Sequence, residues 1–173
     1  MKTELTNPER NLPIAIKTTK PKYLFEEMAE WTDRIAKRAY ELFQFNGFND
    51  GHNLDDWFAA EHEFLKPVAV EVKDNKNEFI VRAEVPGFEA KDLEIDVDGS
   101  CLVIKGKHET RKEEKEKEGK TIYTERTAEQ IYRMIELPAP VLTDKAQAEI
   151  KNGVLELKLP KATTPKSIMI TAA

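Results

Sequence analysis

Cysteine is almost absent from this chain, which has only Cys101 among its 173 residues. A single thiol cannot close an intramolecular disulfide, so the sequence excludes a disulfide-stapled extracellular fold. We therefore expect a reducing, cytoplasmic location. Cys101 has no histidine beside it in the pattern, and we interpret it as a buried or half-buried thiol rather than a nucleophile.

Long apolar runs and an excess of basic residues are also lacking. No segment approaches the roughly 20 apolar residues of a membrane span, and no apolar run follows Lys2 as in a signal peptide. Lysine and arginine total 27 against 32 acidic residues, a net charge of −5, which argues against nucleic acid as the main partner. Charged residues make up 34% of the chain, so we expect one domain of about 100 residues with solvated arms.

The first third of the chain predicts an arm followed by helices. Residues 1–22 are polar and carry three prolines, which favours a flexible N-terminal arm, and residues 23–66 form a helical region. Its first helix has an apolar stripe, and a second begins near Asn53 as N-cap with its own apolar side. The stripe can pack on the second helix, serve as a surface for clients or oligomer contacts, or do both. The predicted client-binding candidates are the stripe residues Leu24, Met28, Trp31, Ile35 and Leu42, together with Trp57 and Phe58 of the second helix.

From Val68 onward the apolar period changes from helical to two. Short alternating segments separated by turns indicate an all-β, immunoglobulin-like antiparallel sandwich. The segment 148–160 organises the chain, because Asn152-Gly153 favours a tight turn between two strands and Leu155, Leu157 and Leu159 share one face. Gly106 is expected to end a short strand, and the charge run from His108 to Lys120 is expected to be a solvated loop.

An ordered set of motifs closely resembles the α-crystallin family of small heat-shock proteins. The set comprises Val85-Pro86-Gly87-Phe88, Leu102-Val103-Ile104-Lys105-Gly106, Leu137-Pro138, the Asn-Gly-Val-Leu turn at 152–155, and Ile168-Met169-Ile170. The resemblance implies an α-crystallin sandwich over 67–161 and a tail with an Ile-x-Ile motif over 162–173. Residues 38–61 also resemble a short bacterial helical module of unknown function.

Assembly from dimers into larger homo-oligomers is implied by the same resemblance. The bacterial and plant type carries an extra strand in its long loop, which pairs with the partner's sandwich edge. The corresponding residues here are Ile122, Tyr123, Glu125 and Arg126, with Arg133 at the dimer side. Ile168 and Ile170 are expected to dock in a groove lined by Leu93, Ile95, Val97, Ala148 and Ile150.

Sites for catalysis or cofactors find little support in the sequence. Gly119-Lys120-Thr121 lacks the earlier glycine of a phosphate loop, since Glu114 stands there. His52 and His62 with Asp55, Asp56 and Glu63 could ligate a metal, but capping and solvated roles are the alternative that we favour. His108 is expected on the loop surface. We therefore expect no cofactor, no metal and no enzyme activity.

Two hypotheses about the function remain, and they belong to different functional classes. The resemblance implies an ATP-independent chaperone, or holdase, that binds unfolding client proteins and prevents their aggregation. The alternative is a p23-like co-chaperone or adaptor module on the same sandwich, which would not oligomerise. The Ile-x-Ile tail and the inserted strand favour the first.

Overall fold

Alternating apolar residues build two four-stranded sheets in this computed structural model. It describes residues 14, 16–17, 21–115 and 121–162, and at 17, 21, 110–115 and 121–127 it describes the backbone alone. The strands are β1 (Ile16–Lys17), β2 (Val70–Asp74), β3 (Glu78–Glu84), β4 (Leu93–Asp98), β5 (Cys101–Lys115), β6 (Thr121–Glu136), β7 (Gln147–Lys151) and β8 (Val154–Pro160). The helices are α1 (Pro21–Phe45) and α2 (Asn53–Phe64). Short 3-10 turns span Ala90–Asp92 and Thr143–Lys145.

The two sheets are ordered β1-β4-β5-β6 and β2-β3-β8-β7. Within the described strands, every pair is antiparallel except β1 with β4, which is parallel. The core lies between the sheets, where strand alternation places the inward side chains. Its fully buried residues include Phe79, Val81, Ile95, Leu102, Ile104, Leu155, Leu157 and Leu159. The predicted β-sandwich is confirmed.

The turn between β7 and β8 forms as predicted. Asn152 and Gly153 have φ of 51° and 75°, and Lys151 pairs with Val154 across the turn. The Gly153 carbonyl accepts a hydrogen bond from the Val85 amide at 2.7 Å. A Cβ on Gly153 would lie 3.2 Å from Pro86 Cα, so glycine is required here both for its backbone angle and for this close approach.

Two expectations about the middle of the chain are wrong. Gly106 does not end a strand: β5 continues to Lys115 and pairs with β6, with Gly106 opposite Ile131. Residues 108–115 are therefore strand rather than loop, because hydrogen bonds to β6 organise a stretch whose charged sequence carries no apolar signal. Thr121 to Arg126 and Gln130 to Glu136 are likewise one continuous strand.

The helix boundaries differ slightly from expectation. Asn53 is the first helical residue of α2 and His52 occupies the N-cap, with no capping hydrogen bond from its side chain. Asp55 and Asp56 lie in the first turn, as predicted. Within the stretch 1–22, expected to be a flexible arm, Ile14 and β1 lie against the sandwich.

Candidate functional site

The helix pair has a small apolar core of its own. Ile35 of α1 packs in one cluster with Ala60 of α2 and Leu65 beyond it, and these residues are 4%, 0% and 8% exposed. Trp31, Leu42 and Trp57 pack against that cluster and are half-buried. Most residues of the predicted stripe therefore pack in the contact between the two helices.

Exposed apolar side chains are concentrated on the same helical region. Of the ten large hydrophobic residues that are exposed in the described part of the chain, eight lie between residues 23 and 58. They are Tyr23, Phe25, Met28, Tyr40, Phe45, Phe48, Leu54 and Phe58. Only Met28 and Phe58 belong to the predicted client-binding set, while Leu24 and Ile35 from that set are buried in this fold.

Polar contacts hold α1 against α2 and use the residues considered as metal ligands. The Arg38 guanidinium donates to both Glu63 carboxylate oxygens at 2.6 and 3.0 Å, which lowers the pKa of Glu63. The Asn46 amide donates to Asp56 Oδ1 at 2.9 Å, and His52 Nδ1 lies 3.1 Å from Asp55 Oδ2. Asp56 and Glu63 thus each have a side-chain partner in the helical region.

The helix pair lies on the outer face of the sheet that contains β5 and β6. Leu102 and Ile104 point into the core, so Val103 between them points outward, and yet it is completely buried. Leu24 of α1 is 1% exposed, and its carbonyl accepts a hydrogen bond from the Tyr132 hydroxyl at 3.4 Å. The Trp31 and Tyr132 rings lie 6.4 Å apart. α1 therefore covers this face of the sandwich.

A cluster of charged side chains lies between α1 and this face of the sheet. Lys105 Nζ is 2.7 Å from Asp96 and 2.8 Å from Glu27, so it links two neighbouring strands to α1. Burial lowers the pKa of Lys105, but the hydrogen bonds to Asp96 and Glu27 outweigh it and raise that pKa above its usual value. Burial, together with the charge of Glu27, raises the pKa of Tyr132 to about 12.

Further polar contacts fix the end of the helix pair and the start of the sandwich. The Lys66 amide donates to the Gln130 carbonyl at 2.7 Å, and its ammonium group lies 2.9 Å from Glu129. His108 is half-buried rather than on a loop surface, with Nδ1 3.0 Å from Asp92 and its ring centroid 6.1 Å from that of Phe88. Cys101 is half-buried, and burial followed by the charges of Glu136 and Asp98 raises its pKa.

The residues predicted to line the tail groove lie on β4 and β7, one strand of each sheet. Leu93, Ile95 and Val97 are on β4 and are buried in the core, whereas Ala148 and Ile150 on β7 are half-buried beside it. The edge of β4 is occupied in this structure by β1, with Ile16 opposite Ile95. The sequence did not predict this occupant. The signal that could have found it is Ile14-Ala15-Ile16, which has the same spacing as the tail motif.

The predicted dimer strand belongs to a long hairpin. Residues 121–126 pair with β5 of the same chain, so the premise of an isolated strand inside a loop is wrong. Among the described strands, β6 is the last of its sheet and β2 is the first of the other sheet, so each has one edge that no other described strand pairs with. Arg133 is exposed and lies opposite Ile104. The side chains of Ile122, Tyr123, Glu125 and Arg126, and residues 163–173 of the tail with Ile168 and Ile170, lie outside the described residues.

No helix in the described ranges is long and apolar enough to cross a membrane. In the same part of the chain, no group of three His, Cys, Asp or Glu side chains is placed to hold a metal ion.

Comparison with known proteins identifies relatives for both parts of the chain. The family model described as the Hsp20/alpha crystallin family matches residues 71–171. A second model, for a protein of unknown function (DUF2934), matches residues 30–66, the helix pair. This agrees with the resemblance of residues 38–61 to a helical module of unknown function.

Individual relatives extend over most of the chain. Spore protein SP21 of Stigmatella aurantiaca is 36% identical over 153 residues, covering 82% of this chain and 89% of the relative. Heat shock protein HSP.16.4 of Streptococcus thermophilus is 28% identical over 131 residues, covering 75% and 89%. Among solved structures, heat shock protein 16.0 from Schizosaccharomyces pombe aligns with a TM-score of 0.46 and 27% identity, covering 62% of this chain and 98% of that one. Because the family model spans more than half of the sequence, the chain belongs to the Hsp20/alpha crystallin family, the small heat-shock proteins.

Proposed function

We propose that this chain is an ATP-independent holdase of the cytoplasm that binds unfolding client proteins and prevents their aggregation. The observation that carries the proposal is the concentration of exposed apolar side chains in the helical region, where the eight residues between 23 and 58 named above lie. Exposed apolar side chains that are concentrated in one region are available to contact the apolar segments of another protein. Family membership supports the chaperone class, and that family consists of chaperones rather than enzymes.

Holding a client needs no chemical step. An unfolding protein exposes its own apolar side chains, and contact with the helical region removes both surfaces from water. The surrounding polar and charged helix positions keep the complex solvated, as the negative net charge of the chain also does. Release then depends on the client's own refolding or on transfer to another protein.

The test is light scattering of a heat-stressed model protein with this chain at stoichiometric amounts, with and without ATP. We expect suppression that is independent of ATP. The double variant F25S/F58S removes two side chains that are 55% and 51% exposed and should weaken suppression several-fold. The matched control is V154S, which removes an exposed apolar side chain from the sandwich instead.

Absence of suppression by the wild-type chain would contradict the proposal. Equal suppression of aggregation by F25S/F58S and V154S would show that clients bind outside the helical region. A chain that elutes as a monomer in size-exclusion chromatography would favour the p23-like adaptor alternative.

The proposed assembly has two steps. First, the outer edge of β6 around residues 121–126 adds to the free edge of β2 in a partner, because edge strands with unpaired amides accept a further strand. Second, Ile168 and Ile170 of the tail dock beside β4 and β7 of a neighbouring dimer. Burial of two isoleucines contributes about 3–6 kcal/mol before the tail is ordered, so each dock is weak and many act together.

A further inference from the structure

β1 is a strand added in parallel to a sheet whose other described pairs are antiparallel. Ile16 lies opposite Ile95 and Lys17 opposite Asp96. Ile14 is 8% exposed and belongs to the core cluster, and Ile16 packs against the same cluster. The segment 14–17 therefore completes the edge of β4 with both main-chain pairing and side-chain burial.

The segment and the tail have the same chemical pattern. Ile14 and Ile16 are separated by one residue, as are Ile168 and Ile170, so in an extended strand each pair presents its two side chains to one side. The groove proposed for the tail is formed by β4 together with Ala148 and Ile150 of β7. Those two residues pack on the same core cluster as Ile14 and Ile16. The segment and the tail are therefore expected to fit the same acceptor.

We infer that Ile14-Ala15-Ile16 is an internal competitor of the C-terminal tail for the edge of β4. This inference rests on the tail docking in the proposed function. A strand edge pairs with one added strand at a time, so the two occupants exclude each other. An assembly link forms only when the N-terminal segment of the accepting subunit has left its edge.

The connection to α1 gives the internal segment an advantage. Only residues 18–20 separate β1 from α1, and α1 is fixed on the sandwich through the buried Leu24. The segment is thereby held close to its edge at high effective concentration. The apparent affinity of the tail is then reduced by the fraction of edges that are free.

The test measures binding of a fluorescently labelled peptide of residues 161–173 by anisotropy. Both proteins carry I168A/I170A so that their own tails do not compete, and one also carries I14A/I16A. We expect the peptide to bind the protein lacking both internal isoleucines at least tenfold more tightly. A peptide with alanine at both isoleucine positions is the control and should bind neither protein. Far-ultraviolet circular dichroism and thermal unfolding establish that the variants are folded.

Equal affinity for the two proteins would overturn the competition while leaving tail docking intact. Binding to neither protein would overturn the shared acceptor as well, and would count against tail docking in the proposed function. Both results are independent of light scattering, which tests the holdase activity itself.

Hydrogen exchange gives a second measurement that needs no change in the N-terminal segment. In the I168A/I170A protein, whichever of the Ile16 and Lys17 backbone amides faces β4 should exchange several-fold faster at saturating tail peptide, because the peptide displaces β1. Unchanged exchange at saturation would overturn the inference.

Discussion

Gly106 shows how tightly single residues are fitted in this sandwich. It lies in the middle of β5 with ordinary strand geometry, and a Cβ there would come 2.8 Å from Ile131 Cγ1 and 3.0 Å from Leu93 Cδ2. The glycine is needed for space rather than for a special backbone angle. A single sequence cannot distinguish these two roles, and for that reason Gly106 looks like a strand end.

G106A should destabilise the fold by about 1–3 kcal/mol, the usual cost of overpacking a core. The measurement is chemical denaturation, with K107A as control because the Lys107 side chain is 59% exposed on the same strand. I131A should reduce the cost of G106A when the two are combined, since it removes the nearest atoms. Strict additivity of the two changes would contradict the steric explanation.

Substitution of Lys105 should also change the free energy of unfolding strongly. K105M removes the cation beside Asp96, whose side chain is 2% exposed, and we expect a loss of about 3–5 kcal/mol in the free energy of unfolding. D96N in the same chain should recover a substantial part, because the uncompensated buried charge is then gone. K107M is the matched control. Equal stability of K105M and the double variant would show that the cost arises elsewhere.

Tyr132 should make the free energy of unfolding depend on pH in the alkaline range. Its pKa is raised to about 12 by burial and by Glu27, so the folded state retains a proton that the unfolded chain loses near pH 10. Stability should therefore be present below pH 10 and fall as pH rises toward 12. Y132F should make the curve shallower, with the remainder due to Lys105, whose pKa is also raised. Parallel curves for Y132F and wild type would contradict this assignment.

At the scale of elements, periodicity predicted most of the strands and both helices. Val81 and Leu157 alternate with polar neighbours, and an apolar stripe marks α1, so local pattern carried the information. The periodicity rule failed where strand pairing overrides composition. Residues 108–115 contain no apolar residue and are still strand, because their backbone pairs with that of β6. Asp56 was also missed as a buried residue, since its partner Asn46 lies across the helix junction.

The site could be predicted only in part for a related reason. Leu24 and Ile35 satisfy any rule for an apolar helix face, but that rule cannot show that α1 covers Val103 and Lys105 on a distant strand. Most of the residues left exposed, such as Phe25 and Tyr40, lie outside the stripe. The free surface becomes visible only once both packing partners of the helix are known.

Deletion of residues 121–126 tests the role of the β5–β6 hairpin. The deletion removes the outer part of β6 and leaves residues 128–136, which pair with the core portion of β5. We expect monomers with a folded sandwich, measured by analytical ultracentrifugation and circular dichroism. A variant that still forms stable dimers would rule out this edge as the dimer contact.

At the scale of the whole molecule, the proposed assembly depends on weak links that are used many times. The linker from Lys161 to Ile168 extends to roughly 25 Å at about 3.5 Å per residue, enough for the tail to reach a neighbouring dimer. I168A/I170A should therefore convert large oligomers to dimers without unfolding the sandwich. Native mass spectrometry measures this, and elution of the variant at the wild-type size would show that the tail is not the link.

The half-buried Cys101 has a practical consequence for following such assemblies. Because burial and two carboxylates raise its pKa, little of this thiol is ionised at neutral pH, and thiolate is the form that reacts with a maleimide. A cysteine introduced at Tyr40, which is 57% exposed on α1, should be labelled much faster than the native one. The chain thus accepts a single dye on its helical region with its own cysteine left in place, and exchange of subunits between assemblies becomes observable by energy transfer.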